Sequence, residues 1–147
     1  VAFPIQYFTT GVMAGAGPGF TTATVSESTT YAHANNTLTF TIQPTQTVFA
    51  CQTCQAPLFT ITGLTGSESD SANFNSSYFA QKNWTRSTGV LEFYPTANLV
   101  ASVAVASFSI TLVVPTAQSA VTPTLSGPVG TVWAYKTLST TVMGTTM

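Results

Sequence analysis

The sequence predicts an all-β protein, an antiparallel β-sandwich with a strand-like arm at each end. Three observations carry this prediction. Apolar side chains alternate with Thr and Ser at period 2 in segment after segment. Clusters of turn-forming residues interrupt the chain at the spacing of a sandwich. No window shows an amphipathic helical stripe with caps.

The elements follow in order. FTTATVSES, residues 20–28, is dominated by β-branched and small residues. In TLTFTIQP, Leu38, Phe40 and Ile42 alternate with Thr37, Thr39 and Thr41, giving one apolar face and one threonine ladder. In PLFTITG, Phe59 and Ile61 share a face. In TGVLEFYP, Leu91 and Phe93 oppose Val90, Glu92 and Tyr94. In SFSITLVVP, Phe108, Ile110, Leu112 and Val114 form the apolar face, and TVWAYKTL closes the set. Between them stand AGAGPG at 14–19, HANN at 33–36, QPTQ at 43–46, GLTGSESDS at 63–71, YPTAN at 94–98 and SGP at 126–128. About eight or nine strands are expected at this spacing. Ser67 to Lys82 is the least regular stretch, open to a short helix or a long loop.

The composition limits the function classes. The chain has 147 residues, enough for one domain with a sizeable core. Only 5% of residues are charged, where a typical soluble domain carries roughly 25%. Thr and Ser, roughly three residues in ten, supply the polarity instead. Hydroxyls hydrate less strongly than ions, and a net charge of −1 gives little mutual repulsion. Such a surface is expected to assemble, to carry glycans, or both. Three Lys and Arg cannot neutralise a run of phosphates, so nucleic acid and polybasic membrane binding are excluded as expectations. The opening residues read as a strand and not as a secretion signal. The longest apolar stretch, LVASVAVASFSITLVV from Leu99 to Val114, is short for a membrane span and laced with hydroxyls, so it reads as β-structure.

The two ends resemble each other. With an offset of about 130 residues, VAFPIQYFTTGVM (1–13) falls on TVWAYKTLSTTVM (131–143), in the manner of a tandem array. Thr10, Val12 and Met13 meet Thr140, Val142 and Met143. Phe3 meets Trp133, Ile5 meets Tyr135, Gln6 meets Lys136, Phe8 meets Leu138 and Thr9 meets Ser139. The chain therefore divides into an N-terminal arm (1–13), a sandwich (14–128) and a C-terminal strand that opens the next repeat (129–147). Each arm alternates large side chains that a lone arm cannot bury. An arm laid across a neighbouring sandwich buries them while its backbone completes a sheet edge. A head-to-tail contact of this kind does not close on itself and grows into a fibre. The expected assembly residues are Phe3, Ile5, Tyr7, Trp133, Tyr135 and Leu138, and the expected partners are further copies of the chain.

Few residues carry chemistry. Cys51 and Cys54 in FACQTCQAP fit a redox centre, half a zinc site or a tight disulfide. A zinc site needs four ligands, and His33 is the only further candidate. A redox motif opens a helix, and here the flanks are strands. A disulfide that pins a turn is the expectation, and it suits an oxidising, extracellular compartment. Asn35, Asn75 and Asn83 head N-x-S/T sequons in or beside predicted loops, so covalent N-linked glycans are expected and no other cofactor is. Glu68 and Asp70 share one loop without the spacing of a calcium site. No acid has a recognisable partner for general acid–base work, and four scattered acids do not make a glycosidase pair. No catalytic residue, no metal site and no enzyme activity is expected. Trp84, Trp133, Tyr78, Tyr94 and Tyr135 suit a core or an interface better than a sugar-stacking platform.

FTTATVSES, NNTLTFTIQP, FTITGLTGS, STGVLEFYP and AQSAVTPTLS, in this order, resemble tandem β-sandwich repeats in very large surface proteins of microalgae and related protists. TGLTGS and QSAVTPT are the most specific pieces. The resemblance implies an Ig-like sandwich in an extracellular array, without catalytic residues; the Cys51–Cys54 loop departs from the plainer repeats. A second resemblance is to archaeal or bacterial surface filaments built by donor-strand exchange from separate, pilus-like subunits. The expectation is a structural unit of an extracellular glycosylated filament whose glycans also face those of neighbouring fibres. The alternative is a carbohydrate-binding or adhesive surface module.

Overall fold

The computed structural model describes residues 18–101, 106–128 and 133–146. Among them lie nine strands and no helix: β1 (Phe20–Glu27), β2 (Asn35–Pro44), β3 (Phe59–Thr62), β4 (Asn73–Asn75), β5 (Phe79–Thr85), β6 (Val90–Pro95), β7 (Ala106–Val113), β8 (Thr124–Ser126) and β9 (Lys136–Thr137). They form two antiparallel sheets, ordered β1-β2-β7-β4 and β5-β6-β3-β8-β9. The sheets face each other across one core, so the fold is a β-sandwich. Among the described residues no helix is long and apolar enough to cross a membrane.

The period-2 pattern decides which face is buried. In β2, Asn36, Leu38, Phe40, Ile42 and Pro44 turn inward while the residues between them are exposed or half-buried. In β7, Ala106, Phe108, Ile110 and Leu112 do the same. Register Leu38↔Ile110 and Phe40↔Phe108 places these apolar sets side by side. On the outer face Thr37 and Thr111 meet directly across the strands, their hydroxyls 3.1 Å apart. β1 breaks strict alternation, since Phe20, Ala23 and Val25 are all buried. A register shift between Phe20 and Thr22 absorbs the extra residue and turns Phe20 back to the core.

Three strands were not legible as such. Ser67 to Lys82, read as a loop or short helix, contains β4 and the start of β5. The three residues of β4 are too few to display a period. Their place is held by the Ser76 hydroxyl, which donates to the Ser107 carbonyl (2.7 Å) and accepts from the Tyr78 and Phe79 amides. That serine turn carries the chain from one sheet to the other. Likewise β8 has a single buried side chain, Leu125, between Pro123 and Gly127.

Aromatic rings bind the two sheets. Phe108 of β7 lies 4.9 Å from Phe40, 5.1 Å from Phe74, 4.6 Å from Phe93 and 5.5 Å from Phe79, centroid to centroid. Phe93 and Phe59 (5.8 Å), Phe59 and Phe20 (5.9 Å), and Phe20 and Trp133 (5.6 Å) extend the chain of rings along the core. Such tilted and offset pairs contribute beyond the area they bury. Phe108→Ala removes the hub and leaves a cavity among rings from both sheets. It is expected to cost about 3–5 kcal/mol, measured as a lower denaturant midpoint with unchanged slope.

Candidate assembly site

The last described segment, residues 133–146, is the structural counterpart of the C-terminal arm. It runs along the side of the sandwich where β8 and β1 face each other, and it touches both sheets. Trp133 packs against Phe20 and Phe59. The Ala134 amide donates to the Pro18 carbonyl at 3.0 Å. β9 then pairs with β8 through Thr124↔Thr137 and Leu125↔Lys136. The Leu138 amide donates to Pro123, and Val121 and Val142 exchange both backbone hydrogen bonds at 2.7 and 2.8 Å. On the opposite side the Val25 amide donates to the Ser139 hydroxyl (3.3 Å) and the Thr146 amide to the Thr30 carbonyl (2.7 Å). Leu138, Val142 and Met143 are buried in the shared core.

A polar knot fixes the far end of this segment. Asn36 is wholly buried, and its amide is fully used. Its Oδ1 accepts from the Ser28 (3.0 Å) and Thr29 (3.2 Å) amides, and its Nδ2 donates to Glu27 Oε1 (2.9 Å). Met143 Sδ lies 3.6 Å from the same Nδ2. Glu27 Oε1 accepts a second bond from the Met143 amide at 3.1 Å, and Gln118 Nε2 donates to the Met143 carbonyl at 3.1 Å. Met143 adopts φ 64°, a left-handed conformation rarely taken by a residue with a long side chain. Burial of its side chain and these bonds hold it there. Glycines let the segment approach so closely. A Cβ at Gly127 would sit 2.3 Å from Trp133 Cβ, and one at Gly144 would sit 2.9 Å from the Ala120 backbone nitrogen.

Of the six expected assembly residues, Trp133 and Leu138 are taken up by the chain's own sandwich and Tyr135 is 72% exposed. Phe3, Ile5 and Tyr7 lie outside the described residues. Glu27, Asn36, Gln118, Gly127 and Gly144 were not singled out for this role. Asn36 was visible only as the middle of a sequon, and its burial at the inward position of β2 was the available signal.

The three sequon asparagines, Asn35, Asn75 and Asn83, are all exposed. Asn75 ends β4 and Asn83 lies in β5, the edge strands of the two sheets on one side of the sandwich, where they meet. Asn83 Nδ2 contacts the hydroxyl of Thr85, the third residue of its own sequon, at 3.3 Å. Cys51 and Cys54 form a disulfide that closes a small exposed loop, and just beyond it Cys51 and Ala56 exchange backbone hydrogen bonds.

The acids that share loop 63–71 part company. Glu68 Oε1 meets His33 Nδ1 at 2.9 Å and its Oε2 accepts from Thr116, whereas Asp70 pairs with Arg86 at 2.8 Å. The His33 hydrogen bond, aided by Thr116, holds the Glu68 carboxyl below its ordinary value of 4.5. Of the aromatic candidates, Trp84 and Tyr94 are buried, and Trp84 Nε1 donates to the Ser69 carbonyl. Tyr78 and Tyr135 are exposed but precede β5 and β9, opposite edges of one sheet.

Asn36→Ala leaves two amides and a half-buried carboxylate short of partners. It is expected to destabilise the fold by about 1–3 kcal/mol, read from chemical denaturation, and to speed amide exchange at Met143. Glu68, with its folded pKa lowered, adds stability above about pH 4.5 that is lost as pH falls through the folded value. Glu68→Gln is therefore expected to flatten the fall of Tm below pH 4.5.

No family model, no curated protein and no solved structure matches the chain. The assignment reached by geometry is thus a β-sandwich closed along one side by its own C-terminal segment.

Proposed function

We propose that this chain is a structural unit of an extracellular, glycosylated filament, joined head to tail by β-strand addition between consecutive sandwiches. The observation that supports this reading best is the unequal treatment of the two sides of the sandwich. On one side the edge strands β4 and β5 carry the sequon residues Asn75 and Asn83. Glycans there block sheet-to-sheet pairing. On the other side β1 is an eight-residue edge, FTTATVSE, with no Lys, Arg or Pro to guard it. Its one acid, Glu27, is drawn inward to Asn36 and Met143. The flank that β1 borders takes up a strand-like segment, residues 133–146, so one flank is guarded by sequons and the other accepts a strand, the polarity that head-to-tail strand addition uses.

The disulfide in an exposed loop and the accessible sequons support an oxidising, extracellular setting. The Ig-like refinement is supported by strand order. β1-β2-β7-β4 against β5-β6-β3-β8-β9 resembles the A-B-E-D and C′-C-F-G arrangement, with β5 added beyond the C′ position and β4 reached earlier in the chain than strand D would be. The tandem arrangement seen in surface repeats of microalgae remains part of this proposal, as do self-association and contacts between glycans. The reading assigns the chain no catalysis, metal or cofactor. The adhesive alternative needs an aromatic platform, and Tyr78 and Tyr135 do not make one, since they precede strands at opposite edges of one sheet.

On a denaturing gel, native material is expected to run far above the 15.4 kDa of this chain and to stay there after deglycosylation, as one tandem polypeptide. Collapse to one chain mass would assign separate subunits. Sugar binding by a purified monomer that forms no filaments would replace the reading with the adhesive one.

A further inference from the structure

We propose that residues 1–13 belong to the closing of a neighbouring sandwich, and that in a second copy of this fold residues 3–13 take the place that residues 133–143 take here. The inference rests on the filament reading and names the contact that joins its units.

The closing segment makes distinct demands at each position, and the first thirteen residues meet nearly all of them in register. Leu138, Val142 and Met143 are buried, and their counterparts are Phe8, Val12 and Met13. Trp133 packs on Phe20 and Phe59, and its counterpart is the aromatic Phe3. Position 139 needs a hydroxyl to accept from the Val25 amide, and Thr9 supplies one. Non-conservative changes fall where the side chain is exposed or half-buried. Tyr135, Lys136, Thr137 and Thr141 answer to Ile5, Gln6, Tyr7 and Gly11. Two positions depart from the pattern: Ala134 donates its amide to Pro18, and Pro4 has no amide hydrogen to give; and Gly144, where a Cβ would meet Ala120, answers to Ala14. A likeness of composition alone would not sort substitutions by burial in this way.

The slot in this chain is already filled, by 133–146. The segment that matches its occupant therefore has its slot in another copy, and each unit lends its opening residues to the one before. Six residues, 14–19, then separate Met13 from the start of β1, a reach of at most ~25 Å. Consecutive sandwiches on this scheme abut, which makes the filament stiff.

The test uses the full chain. Residues 135–143 are replaced by the sequence of residues 5–13, that is Y135I, K136Q, T137Y, L138F, S139T and T141G. A cooperative thermal transition is expected, with Tm lowered by no more than about 10 °C. The comparison variant L138D/V142D is expected to lose far more. In a second measurement, a synthetic peptide of residues 1–13 is added to the full chain carrying Val142→Asp. The peptide is expected to raise Tm in proportion to the logarithm of its concentration, and a scrambled peptide to leave it unchanged. A transplant that behaves like L138D/V142D overturns the proposal, and so does a peptide that shifts nothing. Neither readout depends on filaments, so a native material of single-chain mass without filaments would sink the functional reading while leaving the shared slot intact.

Discussion

Closing the gap between two sheets along the flank where β1 meets β8 is the constraint on which this structure depends. A sandwich whose inner faces carry Phe20, Phe59, Leu125 and Val25 would admit water along that flank. Residues 133–146 seal it. They are held by paired backbone bonds to Val121, by Trp133 against Phe20 and Phe59, and by the knot of Asn36, Glu27 and Met143. The knot joins the hairpin β1–β2 to a segment more than a hundred residues later. A buried amide satisfied on every side fixes one arrangement, because any slip of Met143 strands a donor in the core.

The rest of the described surface uses little charge. Threonine ladders such as Thr37 and Thr111 replace ion pairs on the outer faces. The two salt bridges among the described residues, His33–Glu68 and Asp70–Arg86, are substantially exposed, lie around one loop, and hold it against neighbouring strands. The sequon residues Asn75 and Asn83 fall on one flank, and β1 with the closing segment 133–146 on the other. On the filament reading proposed above, a low net charge, a hazard in a monomer, favours packing against copies of the chain.

Much of the architecture was legible because alternation writes burial directly into the sequence. Leu38, Phe40 and Ile42, and again Phe108, Ile110 and Leu112, declared their faces without help. β4 and β8 were hidden because three residues cannot show a period, and their places depend on β7 and β3; β5 was hidden because a register shift between Gln81 and Asn83 puts its buried Phe79 and Trp84 out of period 2. The C-terminal arm was recognised as a strand that must bury its large side chains. That its own sandwich receives Trp133 and Leu138 followed only from long-range packing. Asn36 was hidden by its type, since an asparagine at a strand's inward position reads as a turn or a sequon until its partners are known.

Amide hydrogen exchange on the intact chain tests the central claim most directly. If the closing segment is an integral strand of the sandwich, the amides of Val142, Val121 and Met143 exchange only with global unfolding, as slowly as those of Phe40 and Phe108 in the β2–β7 ladder. Exchange at these three positions as fast as in the exposed loop at Gln52 and Thr53 would contradict it, because the flank would then open while both sheets stay folded.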